Sequence, residues 1–239
     1  MKGSGERRVP EERVESDIEQ HVGQVAWTAL STLLEGVLQI VRQVAPSTSS
    51  SITLVNAEGA FISYDALDEI ADRLDAVQSA AQSGPSVEAT SLGKIVASTP
   101  EAHPSWAQFW SVAGDVGVTA ALSIPLRSGD TTYGALNVYA TEPGPISEIE
   151  AGLARTMADH ISNALALIDA SALNTQLQEA ITTRQLIGEA KGILMESESC
   201  TRDEAFDLLR RASQRTNRKL RDIAQEIVDA AERRAQDPT

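Results

Sequence analysis

The chain has 239 residues, of which 42% are hydrophobic, so it can form one large domain or two smaller ones around a packed core. Its net charge of −14 argues against general nucleic-acid binding, and no apolar run approaches the roughly 18 residues that a membrane span needs. The charged N-terminus lacks the apolar segment of a signal peptide, so none is expected. The single cysteine, Cys200, is typical of a reducing cytoplasm, where we expect the protein.

The first hundred residues alternate helical and strand-like patterns. Residues 1–16 are predicted to be a disordered leader. Apolar residues then recur at helical spacing until Pro46 and the run "STSSS", which should end this helix. The elements expected here are a helix over 17–45, two strands at 51–55 and 60–67 around the turn "NAEG", a helix at 68–83 and a strand at 92–99.

The clearest sheet signal follows a short helix predicted over 103–117. The segments "AALSIPL" (120–126) and "TYGALNVYA" (132–140) flank the turn residues "RSGD". Two strand-like segments around a short turn favour an antiparallel hairpin.

A long helix is predicted from Ser147 to about Glu196. Ser147 and Glu150 have the spacing of a capping box, and no proline interrupts residues 146–237. At 1.5 Å per residue this helix would extend about 75 Å, too far to be buried in one small domain. We expect it to connect two domains and to pair with a second copy of the chain. A break near Ser171 or Asn174 is the alternative.

The last part of the chain is predicted to be a three-helix unit. Thr201 and Glu204 form a second capping-box pattern, and the turn "QRTNRK" precedes the final helix. The first of the three helices is the end of the connector, where Gly188, Ala190 and Gly192 offer small faces for close helix packing.

Charge is distributed unevenly along the chain. Residues 1–170 contain 9 basic and 22 acidic side chains, whereas residues 171–239 contain 11 and 12. Between Asp207 and Asp222 there are no acidic residues but six basic ones, Arg210, Arg211, Arg215, Arg218, Lys219 and Arg221. This pattern indicates either a local anion-binding surface or a solvated helix face.

Motifs for catalysis or metal binding are lacking. The three histidines, His21, His103 and His160, are far apart in sequence and have no partner cysteines, so no zinc site is expected. There is no phosphate-binding loop, nucleotide fingerprint or nucleophile elbow. The sequence therefore predicts a protein that is not an enzyme and has no metal and no cofactor.

Three blocks in the C-terminal part resemble the ANTAR domain, the RNA-binding module of bacterial transcription antiterminators. They are "AKGILM" (190–195), "TRDEAFDLLRRASQRTN" (201–217) and "KLRDIAQEIV" (219–228). Their order and spacing both agree with that family.

The preceding part resembles a GAF domain, a sensory α/β module often found before ANTAR in actinobacteria. The resemblance depends on Asp75 and Gln78, the pair Gly84-Pro85, and the segments 116–126 and 133–140. Related proteins commonly have a cysteine after the Gly-Pro pair. This chain has Ser86 there, which argues against thiol-based sensing.

Together the resemblances imply an α+β sensory domain (17–170) with an antiparallel sheet and flanking helices. A long connecting helix (147–196) would join it to an all-α three-helix ANTAR domain (171–239). ANTAR dimers bind transcripts that carry two small hairpins and prevent an overlapping terminator from forming, so we expect a homodimer whose partner is nascent RNA.

The expected RNA-binding residues are basic or hydrogen-bonding side chains of the second domain. They are Lys191, Arg210, Arg211, Ser213, Arg215, Asn217 and Lys219. Ser213 and Asn217 are also suited to helix ends. The domain's only aromatic residue, Phe206, is expected in the core, so recognition by base stacking is not predicted.

The sensory domain is expected to respond to an unidentified small molecule or partner protein. Its candidate ligand pocket comprises Asp75, Gln78, Trp106 and Trp110, although the tryptophans also suit a core.

Two rival functions remain open. A DNA-binding helix-turn-helix is one, although Asp222, Glu226, Asp229 and Glu232 make the last helix a poor groove-binding element. A sensory or scaffolding dimer that binds no nucleic acid is the other.

Overall fold

The computed structural model describes residues 24–46, 48–55, 61–66 and 68–236. The chain divides into two compact units, Met1–Ala170 and Ser171–Thr239. The predicted leader (1–16), the start of the predicted first helix (17–23) and the turn "NAEG" lie outside the described residues.

The helices and strands are as follows. The first unit contains α1 (Gln24–Val44), β1 (Thr48–Val55), β2 (Phe61–Ala66), α2 (Glu69–Ala81), α3 (Pro85–Leu92), β3 (Val96–Ser98), a 3-10 turn (Pro104–Trp106), α4 (Ala107–Asp115), β4 (Ala120–Ser128) and β5 (Thr131–Ala140). Helix α5 (Glu148–Ser197) includes the boundary at Ser171, and the second unit also contains α6 (Arg202–Thr216) and α7 (Leu220–Gln236).

The strands form one five-stranded sheet in the order β2-β1-β5-β4-β3. Every pairing in it is antiparallel. Strands β4 and β5 pair along their whole length, which confirms the predicted hairpin. The fold of this unit is therefore the predicted antiparallel sheet with flanking helices.

Three elements differ from the predictions. Strand β1 begins at Thr48 rather than residue 51. The hydroxyl-rich run, which was expected only to end the first helix, pairs with β5 and is buried. Helix α3 was not predicted. Strand β3 is shorter than the predicted 92–99, because Leu92 ends α3 and Gly93 caps it in the left-handed conformation.

The two faces of the sheet differ in polarity because side chains alternate along each strand. One face is apolar and packs against α1 and the first part of α5, through residues such as Ile52, Leu136 and Ile161. The opposite face carries buried polar side chains, among them Ser51, Asn137 and Tyr139.

Helix α5 is continuous over 50 residues, which confirms the predicted long helix. Its N-terminus has the predicted capping box: the Ser147 hydroxyl donates to the Glu150 carboxylate at 2.7 Å, and the Glu150 amide donates back to the hydroxyl at 3.2 Å. The alternative break at Ser171 or Asn174 is not present. No helix in the described ranges is long and apolar enough to cross a membrane.

The second unit has a small core between its helices, built on Ala190, Leu209, Ile223 and Ala224. Ala190 is fully buried, as a small residue at a helix crossing should be. Gly188 and Gly192 are exposed, and a Cβ added to either would meet no atom within 4 Å. This corrects the prediction that these two glycines pack against another helix of the same chain.

Substitution of Gly134 is expected to destabilise the sheet. A Cβ at this position in β5 would overlap the carbonyl oxygen of Thr53 in β1, which is backbone and cannot move aside. We expect Gly134→Ala to lower the free energy of unfolding by about 2–4 kcal/mol.

The measurement is urea unfolding followed by tryptophan fluorescence, since all three tryptophans precede residue 171. The matched control is Gly36→Ala on the exposed side of α1, where an added Cβ meets nothing and should stabilise the helix by up to about 1 kcal/mol. Equal stabilities for the two variants would contradict the close approach of β5 to β1.

Candidate functional site

Helix α6 carries most of the predicted RNA-binding residues, and its two ends are fixed by local hydrogen bonds. Thr201 and Glu204 form the predicted capping box, and these bonds lower the pKa of the Glu204 carboxyl. At the other end Asn217 adopts the left-handed conformation, φ 52°, with its amide bonded to the Ser213 carbonyl.

Ser213 stabilises the turn between α6 and α7 through two hydrogen bonds to Arg218. Its hydroxyl donates to the Arg218 carbonyl at 2.6 Å, and the Arg218 amide donates to the Ser213 carbonyl at 3.2 Å. The Arg218 guanidinium lies 2.7 Å from the Glu226 carboxylate in α7. Ser213 and Asn217 therefore have structural roles that set the direction in which the basic side chains of α6 project.

The predicted RNA-binding residues lie on two flanks of α6. At about 100° per residue, Arg211 and Arg215 share one flank, and Arg210 and Ser213 lie on the other. Arg210 is paired with Asp207 at 2.9 Å. Arg211, Arg215 and Lys219 are exposed, and none of them forms an ion pair within the described part of the chain.

Phe206 is 40% exposed, which corrects the prediction that it belongs to the core. It lies on the same flank of α6 as Arg210, and the Lys191 ammonium lies 5.5 Å from the centre of its ring. A cation above an aromatic face is attracted by the ring's quadrupole. The structure thus brings Lys191 of α5 together with Phe206 and leaves Arg211 and Arg215 on a separate surface.

In the first unit, Asp75 and Gln78 both bind the buried hydroxyl of Tyr139. The hydroxyl donates to the Asp75 carboxylate at 2.9 Å and accepts from the Gln78 amide at 3.0 Å. Burial first, and then the neighbouring Asp75 charge, raises the pKa of Tyr139 well above its ordinary value. The hydroxyl therefore remains protonated and fixes α2 to β5.

The same network continues to α3. The Gln78 side-chain oxygen accepts from the Ser86 amide at 2.8 Å, and the Ser86 hydroxyl is 2.7 Å from that of Thr53 in β1. Asn137 in β5 donates to the hydroxyls of Ser51 and Thr53. Ser86 is thus part of a buried hydrogen-bonded layer.

Trp106 and Trp110 lie in an apolar cluster with Phe109 and Tyr139. The His103 ring stacks on Trp106 with 4.4 Å between centroids. The Trp110 indole nitrogen is buried and has no hydrogen-bond partner among the described residues. The tryptophans therefore form the apolar part of the layer that contains the Asp75 network.

The sequence reasoning missed Thr53, Asn137 and Tyr139 as members of this layer. A signal was available, because polar residues alternate with apolar ones along β1, β4 and β5. Alternation predicts a half-buried strand whose polar face meets solvent. Here α2, α3 and α4 cover that face, so its polar groups are buried and paired with each other.

No group of three or more His, Cys, Asp or Glu side chains within the described ranges is arranged to hold a metal ion.

These features define an α+β domain with an antiparallel sheet, followed by an all-α domain. The GAF domain family model matches residues 28–166 and the ANTAR domain model matches residues 175–228. The chain therefore belongs to the GAF family and is a two-domain GAF–ANTAR protein. GAF domains are sensory and ANTAR domains are RNA-binding antiterminator domains, so both parts are regulatory.

Solved structures similar to the chain include several that are described as GAF domains. A domain of a protein described as a two-component sensor histidine kinase, from Sinorhizobium meliloti, has 14% identity and a TM-score of 0.50 and covers 61% of this chain and 96% of its own. The GAF domain of an Acinetobacter phosphoenolpyruvate-protein phosphotransferase has 16% identity and a TM-score of 0.47, with 69% and 97% covered. The first likeness supports the fold alone. No curated protein matches the chain.

The buried Tyr139 hydroxyl should make stability depend on pH in the alkaline range. Tyr139→Phe removes a donor from the buried Asp75 carboxylate and is expected to cost about 1–3 kcal/mol near neutral pH. The raised pKa in the folded state means that this contribution is complete below pH of about 10 and is lost as pH rises above it. The difference between the variant and the wild type should therefore shrink above pH of about 10.

Urea unfolding at several alkaline pH values tests this expectation. The control is Tyr133→Phe, because partial burial and Asp169 also raise the pKa of Tyr133, but by less. A stability difference for Tyr139→Phe that stays constant across the alkaline range would contradict the assignment.

Proposed function

We propose that this protein is a signal-responsive RNA-binding transcription antiterminator that acts as a homodimer. It binds paired hairpins in a nascent transcript, prevents a terminator from forming, and is controlled by its GAF domain. The observation that carries the proposal is the ANTAR domain, whose α6 presents Arg211 and Arg215 to solvent without acidic partners among the described residues. A cytoplasmic location follows from this role.

Electrostatics favours this part of the chain for contact with RNA phosphates. Arg211 and Arg215 are four residues apart on one flank of α6. Lys219 adds a positive charge in the connection between α6 and α7. Binding phosphates with such side chains releases counterions and makes affinity depend on salt. Arg210 lies on the second flank of α6, and Lys191 of α5 contacts Phe206 on that flank. Ser213 and Asn217 support the interface by holding the turn.

The DNA-binding alternative is less well supported. In a helix-turn-helix protein α7 would enter the major groove. Acidic residues lie along α7, and Glu226 and Asp222 are paired with Arg218 and Arg221. These carboxylates would face phosphates if α7 entered a groove.

Dimerisation through α5 is supported by apolar side chains that the chain leaves exposed. Leu173, Leu177 and Ile181 are 57%, 55% and 66% exposed and follow each other at steps of four residues. Such a row on a helix is typical of a surface that packs against another helix. Two α5 helices that pair along this row would bring two ANTAR domains to one RNA.

Control by the GAF domain would act through α5. The first part of α5 packs on the apolar face of the sheet through Ala154, Ala158 and Ile161. On the opposite face, the signal is proposed to act on the buried layer that contains the Asp75–Gln78–Tyr139 network and the tryptophans. A small molecule or partner that rearranges this layer would change how the sheet supports α5 and hence the dimer.

The RNA interface is tested by binding of the full-length protein to a two-hairpin RNA, a single hairpin and duplex DNA at two salt concentrations. We expect preference for the paired hairpins. Arg211→Ala and Arg215→Ala should each weaken binding about tenfold and reduce the salt slope by about 1. The matched control is Arg233→Ala, an exposed arginine in α7, which should change neither. Equal weak binding to all three nucleic acids would contradict the proposal.

The dimer is tested by analytical ultracentrifugation of the protein with and without RNA. Leu177→Glu places a charge in the exposed apolar row and should produce monomers that no longer prefer paired hairpins. Leu92→Glu is the control, since Leu92 is similarly exposed at 58% but lies in α3. A wild-type protein that stays monomeric when bound to RNA would refute dimerisation.

A further inference from the structure

We propose that a groove beside Phe206 in the ANTAR domain binds an unpaired RNA base, stacked on the Phe206 ring. This inference rests on the proposed function and specifies a subsite within it. The groove is open, has a volume of about 570 Å³ and is lined by Gln176, Glu179, Ala180, Thr183, Arg184, Ile187, Phe206 and Arg221. All of these residues belong to the second unit, and we call this surface the Phe206 groove.

The exposure of Phe206 is the first argument. It is the only aromatic residue of residues 171–239, and 40% of it remains exposed although the unit has a core nearby. An exposed aromatic ring in a nucleic-acid-binding domain is a stacking surface for any base, because every base has a π-face. Ile187 and Ala180 extend the apolar part of the groove next to the ring.

Charge is the second argument. Lys191 lies over the Phe206 ring, and Arg184 and Arg221 line the groove, whereas Glu179 is its only acidic residue. A base brings its own phosphates with it, and Arg184 and Arg221 line the groove where they could bind them.

Hydrogen-bonding capacity is the third argument. Gln176 and Thr183 lie on the α5 side of the groove, and both can donate and accept hydrogen bonds to the polar edge of a base. RNA loops present bases whose edges and faces are both accessible, which paired stems do not. The Phe206 groove therefore fits a loop base better than a stem.

This surface is separate from the phosphate-binding surface proposed above. Phe206 lies on the flank of α6 that faces away from Arg211 and Arg215. The α6 helix would then lie between two parts of the RNA, with phosphates on one flank and a loop base on the other. Arg211 variants should weaken binding to all hairpins, whereas Phe206 variants should remove the dependence on one loop position.

The test begins with a two-hairpin RNA selected by full-length protein from a library with randomised loops. Each loop position is then replaced in turn by an abasic residue, and affinities are measured for the wild type, Phe206→Leu and Phe206→Trp. We expect Phe206→Leu to weaken binding about 10- to 100-fold and Phe206→Trp to retain it. One abasic position should weaken wild-type binding by a similar factor and have no further effect in Phe206→Leu, which identifies the stacked base.

A fluorescent 2-aminopurine at that loop position gives an independent readout, since stacking on Phe206 changes its emission and Phe206→Leu should abolish the change. Met195→Ala is the matched control, because Met195 is similarly exposed at 37% but does not line the groove. Circular dichroism reports whether Phe206→Leu is folded, and Phe206→Trp keeps the test valid if it is not.

The outcomes separate this inference from the proposed function. Selection that enriches no RNA would overturn the antiterminator proposal and the groove proposal together. Tight binding to the selected RNA that is unchanged within about twofold in Phe206→Leu would overturn the groove proposal alone. A Phe206→Leu variant that loses dimerisation together with RNA binding would assign the groove to contact between two copies of the chain.

Discussion

The hydroxyl of Tyr139 is held between the Asp75 carboxylate and the Gln78 amide, and the helical layer on that face of the sheet depends on this arrangement. Polar groups buried here are tolerable only because they bond to each other. The network fixes α2 and α3 to β1 and β5 through directional bonds, whereas the opposite face is held by apolar packing. The two faces of the sheet are therefore held by different interactions, and the apolar one supports the first part of α5.

Much of the fold was predictable because its strongest signals are local. The β4–β5 hairpin follows from two strand patterns around a short turn, and α5 follows from its capping box and an uninterrupted periodic stripe. Helix α3 is too short for a periodic pattern, although Pro85 in its first turn and Gly93 after its end marked its limits. The extended start of β1 was missed because hydroxyl residues favour turns until a neighbouring strand binds them.

The sequence predicted which site residues are charged and which of them share a side of a helix, but not which side chains contact each other. The flank shared by Arg211 and Arg215 can be read from their separation of four residues, but the pairing of Arg210 with Asp207 needs side-chain geometry. Phe206 was assigned to the core because apolar residues usually are buried. Its exposure depends on how α5 lies against α6, which no local pattern encodes. The result is a candidate interface with two chemically different flanks instead of one basic patch.

The unbroken α5 also has an evolutionary consequence. In a continuous helix, one inserted residue turns everything that follows by about 100° and moves it by about 1.5 Å, because no loop is present to absorb the change. Insertions of 7 or 11 residues restore the original direction to within about 20°. Homologous proteins should therefore differ in the length of this helix by 7 or 11 residues. Insertions and deletions of single residues should be confined to the segments between the other helices and strands.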